Sequence, residues 1–430
     1  TMSSITFHGR DRGYGSGYGR NSTPWSRKQC VQQAPLPPRG EVLATIYPID
    51  LQEEKQDITA QIIDSQCLAS YNWLSGGEPH ILIPGEPPRW APLSNPTRLA
   101  EDSGLYFRDQ NAARYPSHPM EPMIQAILAS KPDFSLRDTD IVACGSTLGN
   151  LLRFVRGEGK PFRILVEAIG RTVFFMRREN AHDEVIPNVY GYGHTFPEAY
   201  TTWSADVKGS ESHQRVMKYD LAGMSCLVRF EADGYLPSVA QNSSSRSSEG
   251  DPPEAAEDLL SSLKNVAISN LPESGLKISE TLKVSAGGEF TSQSAIFDLK
   301  TRSIRKKDED TLGQELPRLW IAQVPNFILA HHKAGVFSDI QVVDVRERVK
   351  HWEEDQKPTL ARFADLLKKI VAFARSSECG RFEITREDCA TVLELRAQCA
   401  GAGRVLPPYV AKKWDEELAG SDRSYSVDGL

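Results

Sequence analysis

Four charged residues, set two by two, could do chemistry that the rest of this chain does not offer. They are Glu231 and Asp233 in Glu231-Ala232-Asp233, and Asp298 and Lys300 in Asp298-Leu299-Lys300. Each triplet closes an apolar run that reads as a strand: Met224 to Phe230 before the first, Ser294 to Phe297 before the second. Residues two apart on a strand point to the same face, so each pair projects together. Two such strands side by side would gather three carboxylates and one ammonium on one patch. Carboxylates so crowded repel one another unless cations lie between them, and hard oxygen ligands suit Mg²⁺ or Mn²⁺. A lysine beside the ions would orient a water and offset charge on a phosphorane-like transition state. Either triplet alone reads better as a charged strand tip in solvent. The two together bring chemistry level with that plainer reading.

The layout E-x-D…(D/E)-x-K is that of metal-dependent phosphodiester hydrolases, and further landmarks accompany it in order. Asp140-Ile-Val-Ala-Cys-Gly-Ser-Thr-Leu-Gly-Asn-Leu-Leu152 is an apolar opening segment, followed by a hairpin-like stretch from Phe162 to Arg177. Then comes Tyr192-Gly-His-Thr-Phe-Pro-Glu198-Ala-Tyr200, before the two acidic triplets. Last is Leu319-Trp320-Ile-Ala-Gln323, leading into Val324-Pro325-Asn326. Between Asp140 and Arg375 this order resembles the DXO/Dom3Z family of RNA 5′-end decapping nucleases. The resemblance implies a PD-(D/E)XK-type core, a mixed α/β (α+β) fold of mixed sheets flanked by helices in a single large domain. It also implies roles. Glu198, Asp233 and Asp298 match the direct metal ligands, and Glu231 one that acts largely through a metal-bound water. The Leu299 carbonyl would complete the shell, Lys300 would position the attacking water, and Gln323 would contact that water or the scissile phosphate. Two ions, Mg²⁺ or Mn²⁺, would activate the water and stabilise the leaving oxygen.

The chain departs from the family where substrate phosphate is gripped. The usual arginine of a W-R-G segment is replaced in Cys144-Gly145-Ser146. Lysines that precede the helix glutamine are replaced by Leu316 and Leu319, with Arg318 one position away. The G-h-R after the V-P-N strand reads Ala330-His331-His332. Lost cations weaken phosphate binding, where charge-assisted contacts matter most. Arg171, Arg229 and Arg302 are the candidates to compensate. The two histidines read as polar strand-end surface.

Composition bounds the rest. The 430 residues suffice for one large core or two. Lys+Arg total 50 against 57 Asp+Glu, a net charge of −7. That argues against a protein that coats nucleic acid, but not against one that takes a single chain end into a local pocket. No run approaches the ~18 apolar residues of a membrane span, and there is no apolar signal core at the N-terminus. Seven cysteines without a C-x-x-C pair point to reduced thiols, hence an intracellular setting, nucleus or cytoplasm, and no membrane.

The expected organisation has three parts. Residues 1–40 form a Gly/Arg/Tyr-rich tail expected to be disordered. Residues 41–376 form the catalytic domain, with a polar insertion at about 238–280 that includes Gln241 to Pro253 and an acidic amphipathic helix from Glu254. Residues 377–430 form a helical C-terminal extension and tail, since Thr385-Arg-Glu-Asp388 resembles a helix-start box and a helix to Cys399 would follow. Within the domain, Pro119 to Ser130 and Thr359 to Arg375 carry apolar stripes at helical spacing. Gln341 to Val345 reads as a strand. Two functions compete: a metal-dependent hydrolase of RNA 5′ ends (decapping, pyrophosphohydrolysis and 5′–3′ degradation in RNA quality control), or a catalytically weakened relative. The latter would bind RNA or stabilise a 5′–3′ exoribonuclease as its partner. Diphosphate chemistry of the D-D-x-x-D type is set aside, because no such spacing occurs.

Overall fold

Alternation of apolar and polar residues forms the strands on which this fold is built. The computed structural model describes residues 34–52, 60–187, 189–240, 282–399 and 401–421. Strands β1 (Val42–Ile46), β2 (Ile62–Leu74), β3 (His80–Pro84) and β4 (Arg89–Trp90) come first, then helices α1 (Gln110–Arg114) and α2 (Glu121–Ser130). Strand β5 (Ile141–Cys144) leads straight into α3 (Gly145–Val155), and the hairpin of β6 (Phe162–Ile169) and β7 (Thr172–Arg177) follows. Next are α4 (Thr195–Tyr200), β8 (Thr201–Thr202), β9 (Ser210–Leu221), β10 (Met224–Ala232) and β11 (Gly234–Tyr235). Then come β12 (Lys283–Gly287), β13 (Ile296–Ser303), α5 (Thr311–Ala322), β14 (Asn326–Lys333) and β15 (Val336–Asp344). Helices α6 (Arg346–Asp355) and α7 (Lys357–Ser376), strands β16 (Arg381–Arg386) and β17 (Leu393–Ala397), and helix α8 (Pro408–Ser421) close the series.

The strands form two sheets. An eleven-stranded sheet runs β1-β17-β16-β6-β7-β5-β10-β9-β2-β3-β12, and a six-stranded one runs β15-β14-β13-β11-β4-β8. Central strands of the larger sheet are covered on both faces. Ile141 and Ala143 of β5 pack with α3 and α7, through Leu151, Phe363, Leu367 and Ile370. Val142 faces the other way, into a core with Met123, Ile124 and Ile127 of α2 and Trp414 of α8. The stripes foreseen on α2 and α7 are thus core, each large apolar side chain stabilising the fold by about 1.5–3 kcal/mol.

The sheets meet at the first acidic triplet. Strand β10 lies parallel to β5 and antiparallel to β9, and ends at Ala232. Gly234 already pairs with Phe297 of β13 in the smaller sheet. Asp233 is therefore the crossing residue between two sheets, not one residue of a strand lying beside β13. The crossing needs glycine at 234: a Cβ there would lie 2.5 Å from the Phe297 ring and 2.6 Å from the Pro88 carbonyl oxygen.

One expectation is overturned. Residues 381–397 are strands, not a helix, and they insert between β6 and β1. Their period is two: Phe382 and Ile384 alternate with Glu383 and Thr385, and Leu393 and Leu395 with Glu394 and Arg396. Pairing with β6 over six residues outweighs the local helix-start signal. Helix α8 then docks through Trp414, which is buried and donates its Nε1 proton to Thr172 Oγ1 at 2.9 Å. The Gly/Arg/Tyr-rich segment, Gln241 to Pro253 and the acidic helix from Glu254 lie outside the described residues. The six described cysteines are free thiols. Among the described residues, no helix is long and apolar enough to cross a membrane.

Candidate active site

A cleft of about 920 Å³ opens between α3, β10, β13 and α5. Nine Arg or Lys and five Asp or Glu line it, so a chain of net charge −7 carries a locally basic groove. Strand β13 brings Asp298 and Lys300 to one wall, as alternation requires. Asp298 is buried at 4% exposure. Asp233, at the crossing, accepts the Leu299 amide proton on Oδ2 at 2.6 Å and lies against the Asp298 carboxylate. Burial first, and then the charge of Asp298, push the Asp233 carboxyl well above the usual carboxylate range.

Positive charge reaches this acid pair from α5. The helix starts on an Asp310 cap that accepts the Gly313 amide proton, and Leu312, Leu316, Leu319 and Trp320 bury one face. The opposite face presents Gln314, Glu315, Arg318 and Ala322 to the cleft. Arg318 grips Asp298 with both terminal nitrogens, Nη2 to Oδ1 at 2.6 Å and Nη1 to Oδ2 at 2.5 Å. Its Nε donates to Glu315 Oε2 at 2.9 Å. Burial alone would lower the Arg318 guanidinium, but Asp298, Glu315 and Asp233 hold it above its ordinary value. Glu315 also takes Lys300 Nζ at 3.2 Å and lies 3.9 Å from Arg302. From the acid pair Asp233 and Asp298, charge then alternates through Arg318, Glu315 and Lys300.

The far wall is more basic. Arg229 of β10 is buried, donating to the Pro119 carbonyl at 2.7 Å and to Cys144 Sγ at 2.9 Å, so it braces the wall. Burial lowers the Arg153 guanidinium, with Arg177 and Arg156 adding to this against the opposing charge of Glu158. Gly145, at the start of α3, lines the cleft with space beside it; the nearest atoms to a Cβ there are at 3.7 Å. Of the three compensating arginines foreseen, Arg229 and Arg302 line the cleft. Arg171 does not; its carbonyl accepts hydrogen bonds from Arg375 on the β6–β7 turn.

The remaining candidates divide. Glu231 ends β10 at the cleft and accepts a proton from Gln214 Nε2 at 3.2 Å. Solvent reaches its side chain, yet protein packed around the carboxyl raises its pKa, aided by Asp109 and Asp298. Glu198 sits exposed on α4, beside His194 and Tyr106, and does not line the cleft. Gln323 caps α5 in the left-handed conformation and turns its amide back to the Trp320 carbonyl at 2.6 Å. It lines a separate hollow of about 400 Å³ with Trp320 and Gln293. Ala322, one residue earlier, is what α5 presents to the cleft there. His331 is not surface: it is buried, 3.6 Å from Asp339. Among the described residues, no three Asp, Glu, His or Cys side chains converge closely enough to hold a metal ion. Asp233 and Asp298 nevertheless fit a hard cation. They are an oxygen-only pair pressed together, and a guanidinium already stands in for positive charge.

The sequence matches the family described as a domain of unknown function (DUF8563) over residues 45–396. The chain belongs to that family. No curated protein matches the sequence. Among solved structures, Rai1 of Scheffersomyces stipitis in complex with (3′-NADP)⁺ and calcium ion aligns with TM-score 0.54 at 11% identity, covering 89% of this chain and 100% of that one. S. pombe Rai1 in complex with 3′-FADP aligns with TM-score 0.52 at 9% identity, covering 83% and 99%. Candida albicans Rai1 in complex with pU5-Mn²⁺ aligns with TM-score 0.51 at 9% identity, covering 88% and 100%. The chain has the Rai1 fold, a mixed α+β architecture, as its resemblance to the DXO family implied.

Sequence reasoning noted Arg318 only as a near miss and passed over Glu315, Arg153 and Arg177. A signal for the first two existed. Glu315 and Arg318 are three apart on α5, on the face opposite Leu312, Leu316 and Leu319.

Proposed function

We propose that this cleft binds the 5′ end of RNA and hydrolyses a phosphate linkage there with the help of a divalent cation. The observation that carries this reading is the Asp233–Asp298 pair at the base of a groove lined by nine basic side chains. Asp233 and Asp298 would hold the ion, with Glu231 alongside and the Leu299 carbonyl completing the shell. Once bound, such an ion supplies a more acidic water and charge stabilisation on the phosphoryl oxygens. Lys300, held on the same face of β13 as Asp298, would steady the attacking water, and Arg302 and the α3 wall would neutralise the substrate's phosphates. The Rai1 structures with pU5-Mn²⁺, 3′-FADP and (3′-NADP)⁺ show nucleotide ligands, and in the first and last a divalent metal, on this fold.

A second reading has its own support. With Gln323 turned away, Glu198 outside the cleft and Arg318 on Asp298, the chain would bind RNA ends and cleave them slowly, acting instead as a subunit of a 5′–3′ exoribonuclease. One experiment separates the readings: Mn²⁺, the full chain, and RNAs carrying 5′ monophosphate, triphosphate, unmethylated cap, methylated cap or NAD, with products identified by mass spectrometry. Release of a 5′ group or nucleotide from any of these supports hydrolysis. Binding of all without release supports the second reading.

A further inference from the structure

We propose that Arg318 is an exchangeable latch, which neutralises the acid pair when no cation is bound and passes to a substrate phosphate when a divalent cation takes Asp298. The inference rests on the reading above. Its ground is that Arg318 engages both oxygens of Asp298, the paired edge through which a carboxylate would chelate an ion. A cation and the guanidinium therefore compete for the same two atoms. Asp298 is buried beside Asp233, so the pair needs positive charge from some source in the folded chain. Arg318 supplies it from a position suited to letting go. Solvent in the cleft reaches 45% of its side chain, and it comes from a helix face rather than from the core.

Release would not scatter it. Its third donor, Nε, is tied separately to Glu315, which would keep the released guanidinium at the cleft wall. A planar fork of donors matches phosphate oxygens in pairs, which a lysine cannot do. The opposite wall leaves that role open. Gly145 lines the cleft there without a side chain, and a Cβ added to it would meet Ile321 of the same helix α5 at 3.7 Å, an ordinary contact. Metal and phosphorylated RNA would then favour each other's binding, because each uses the group that the other displaces or frees.

Calorimetry with Mn²⁺ alone tests the latch in the full chain, without reference to activity. Arg318→Gln should bind Mn²⁺ more tightly than wild type, by roughly 5–150-fold, the usual range of site–site coupling. Arg318→Lys, which keeps the charge but not the fork, should fall between them and guards against misfolding of the first variant. A second arm measures anisotropy of a 5′-monophosphorylated oligoribonucleotide with and without Mn²⁺. Wild type should gain affinity with the ion, and Arg318→Gln should lose that gain. Mn²⁺ affinity within twofold of wild type for both variants would overturn the proposal, as would a full Mn²⁺-dependent gain in Arg318→Gln. Wild type that binds 5′-phosphate and 5′-hydroxyl RNA equally would instead sink the reading of the cleft, and the calorimetry would still decide the competition at Asp298.

Discussion

Gly145→Arg should strengthen RNA binding while leaving the fold unchanged, and the structure allows the size of each effect to be worked out. Gly145 opens α3 at the cleft wall, and a Cβ there meets nothing closer than 3.7 Å. Replacing glycine in a helix gains up to about 1 kcal/mol. A cation in the first turn opposes the helix dipole by about 0.3–1 kcal/mol. These offset, so the melting temperature should hold. For binding, a charge-assisted contact to phosphate contributes about 1.5–3 kcal/mol, against which ordering the arginine costs about 1.5–2 kcal/mol. Taking the upper part of the first range, the net is about 1 kcal/mol, or roughly fivefold in affinity. The salt dependence is the sharper readout. One added phosphate contact on a single strand steepens the slope of log affinity against log salt by about 0.7. Fluorescence anisotropy on a 5′-phosphorylated oligoribonucleotide at several salt concentrations measures both. An unchanged slope would show that no bound phosphate passes this wall, and the reasoning about the missing arginine would fall.

Gly234→Ala should destabilise the chain by about 1–3 kcal/mol through overpacking against Phe297 and Pro88, read as a lower melting temperature. It should also weaken Mn²⁺ binding, because Asp233 is held by the same crossing; a melting curve like that of wild type would refute the close approach. His213 is buried and neutral, hydrogen-bonded to Asn72, with burial and then Arg215 keeping its pKa well below the ordinary value. Its contribution to stability is therefore complete above the unfolded pKa of about 6.5 and is lost as pH falls below it, at up to about 1.4 kcal/mol per pH unit. Denaturant titrations between pH 7 and 5 should show a shallower acid loss in His213→Asn than in wild type. Parallel profiles would contradict the assignment.

Much of the framework was legible because it rests on period. The stripe Phe363, Leu366, Leu367 and Ile370 marks α7 without ambiguity, and the hairpin Phe162 to Arg177 follows from alternation and its turn. The same rule holds for residues 381–386 and 393–397, whose period of two marks strands, while the short capping pattern at Thr385 points locally to a helix that pairing with β6 overrides. Asp298 and Lys300 were legible as a pair because a strand guarantees their common face. Asp233 was not fully legible, since nothing local shows that the chain changes sheets between Ala232 and Gly234. Gln323 illustrates a different limit. A helix glutamine reaches the site only if the helix phase carries it there, and here the left-handed cap turns it outward one residue too late. The Arg318 fork was hidden for the same reason: sequence spacing shows which face of α5 is polar, but not that Asp298 lies opposite it.

The most direct test is the turnover of 5′-monophosphorylated RNA in Mn²⁺ by wild type and by Asp298→Asn, with the melting temperature of each recorded alongside. Asparagine keeps the shape of the side chain but removes the charge that an ion requires. The account predicts Mn²⁺-dependent release of 5′ nucleotides by wild type. It also predicts a loss of roughly 100-fold or more in the variant, beyond the 10–100-fold typical of a ligand's supporting partners, with folding retained. Equal rates in the two proteins would contradict it.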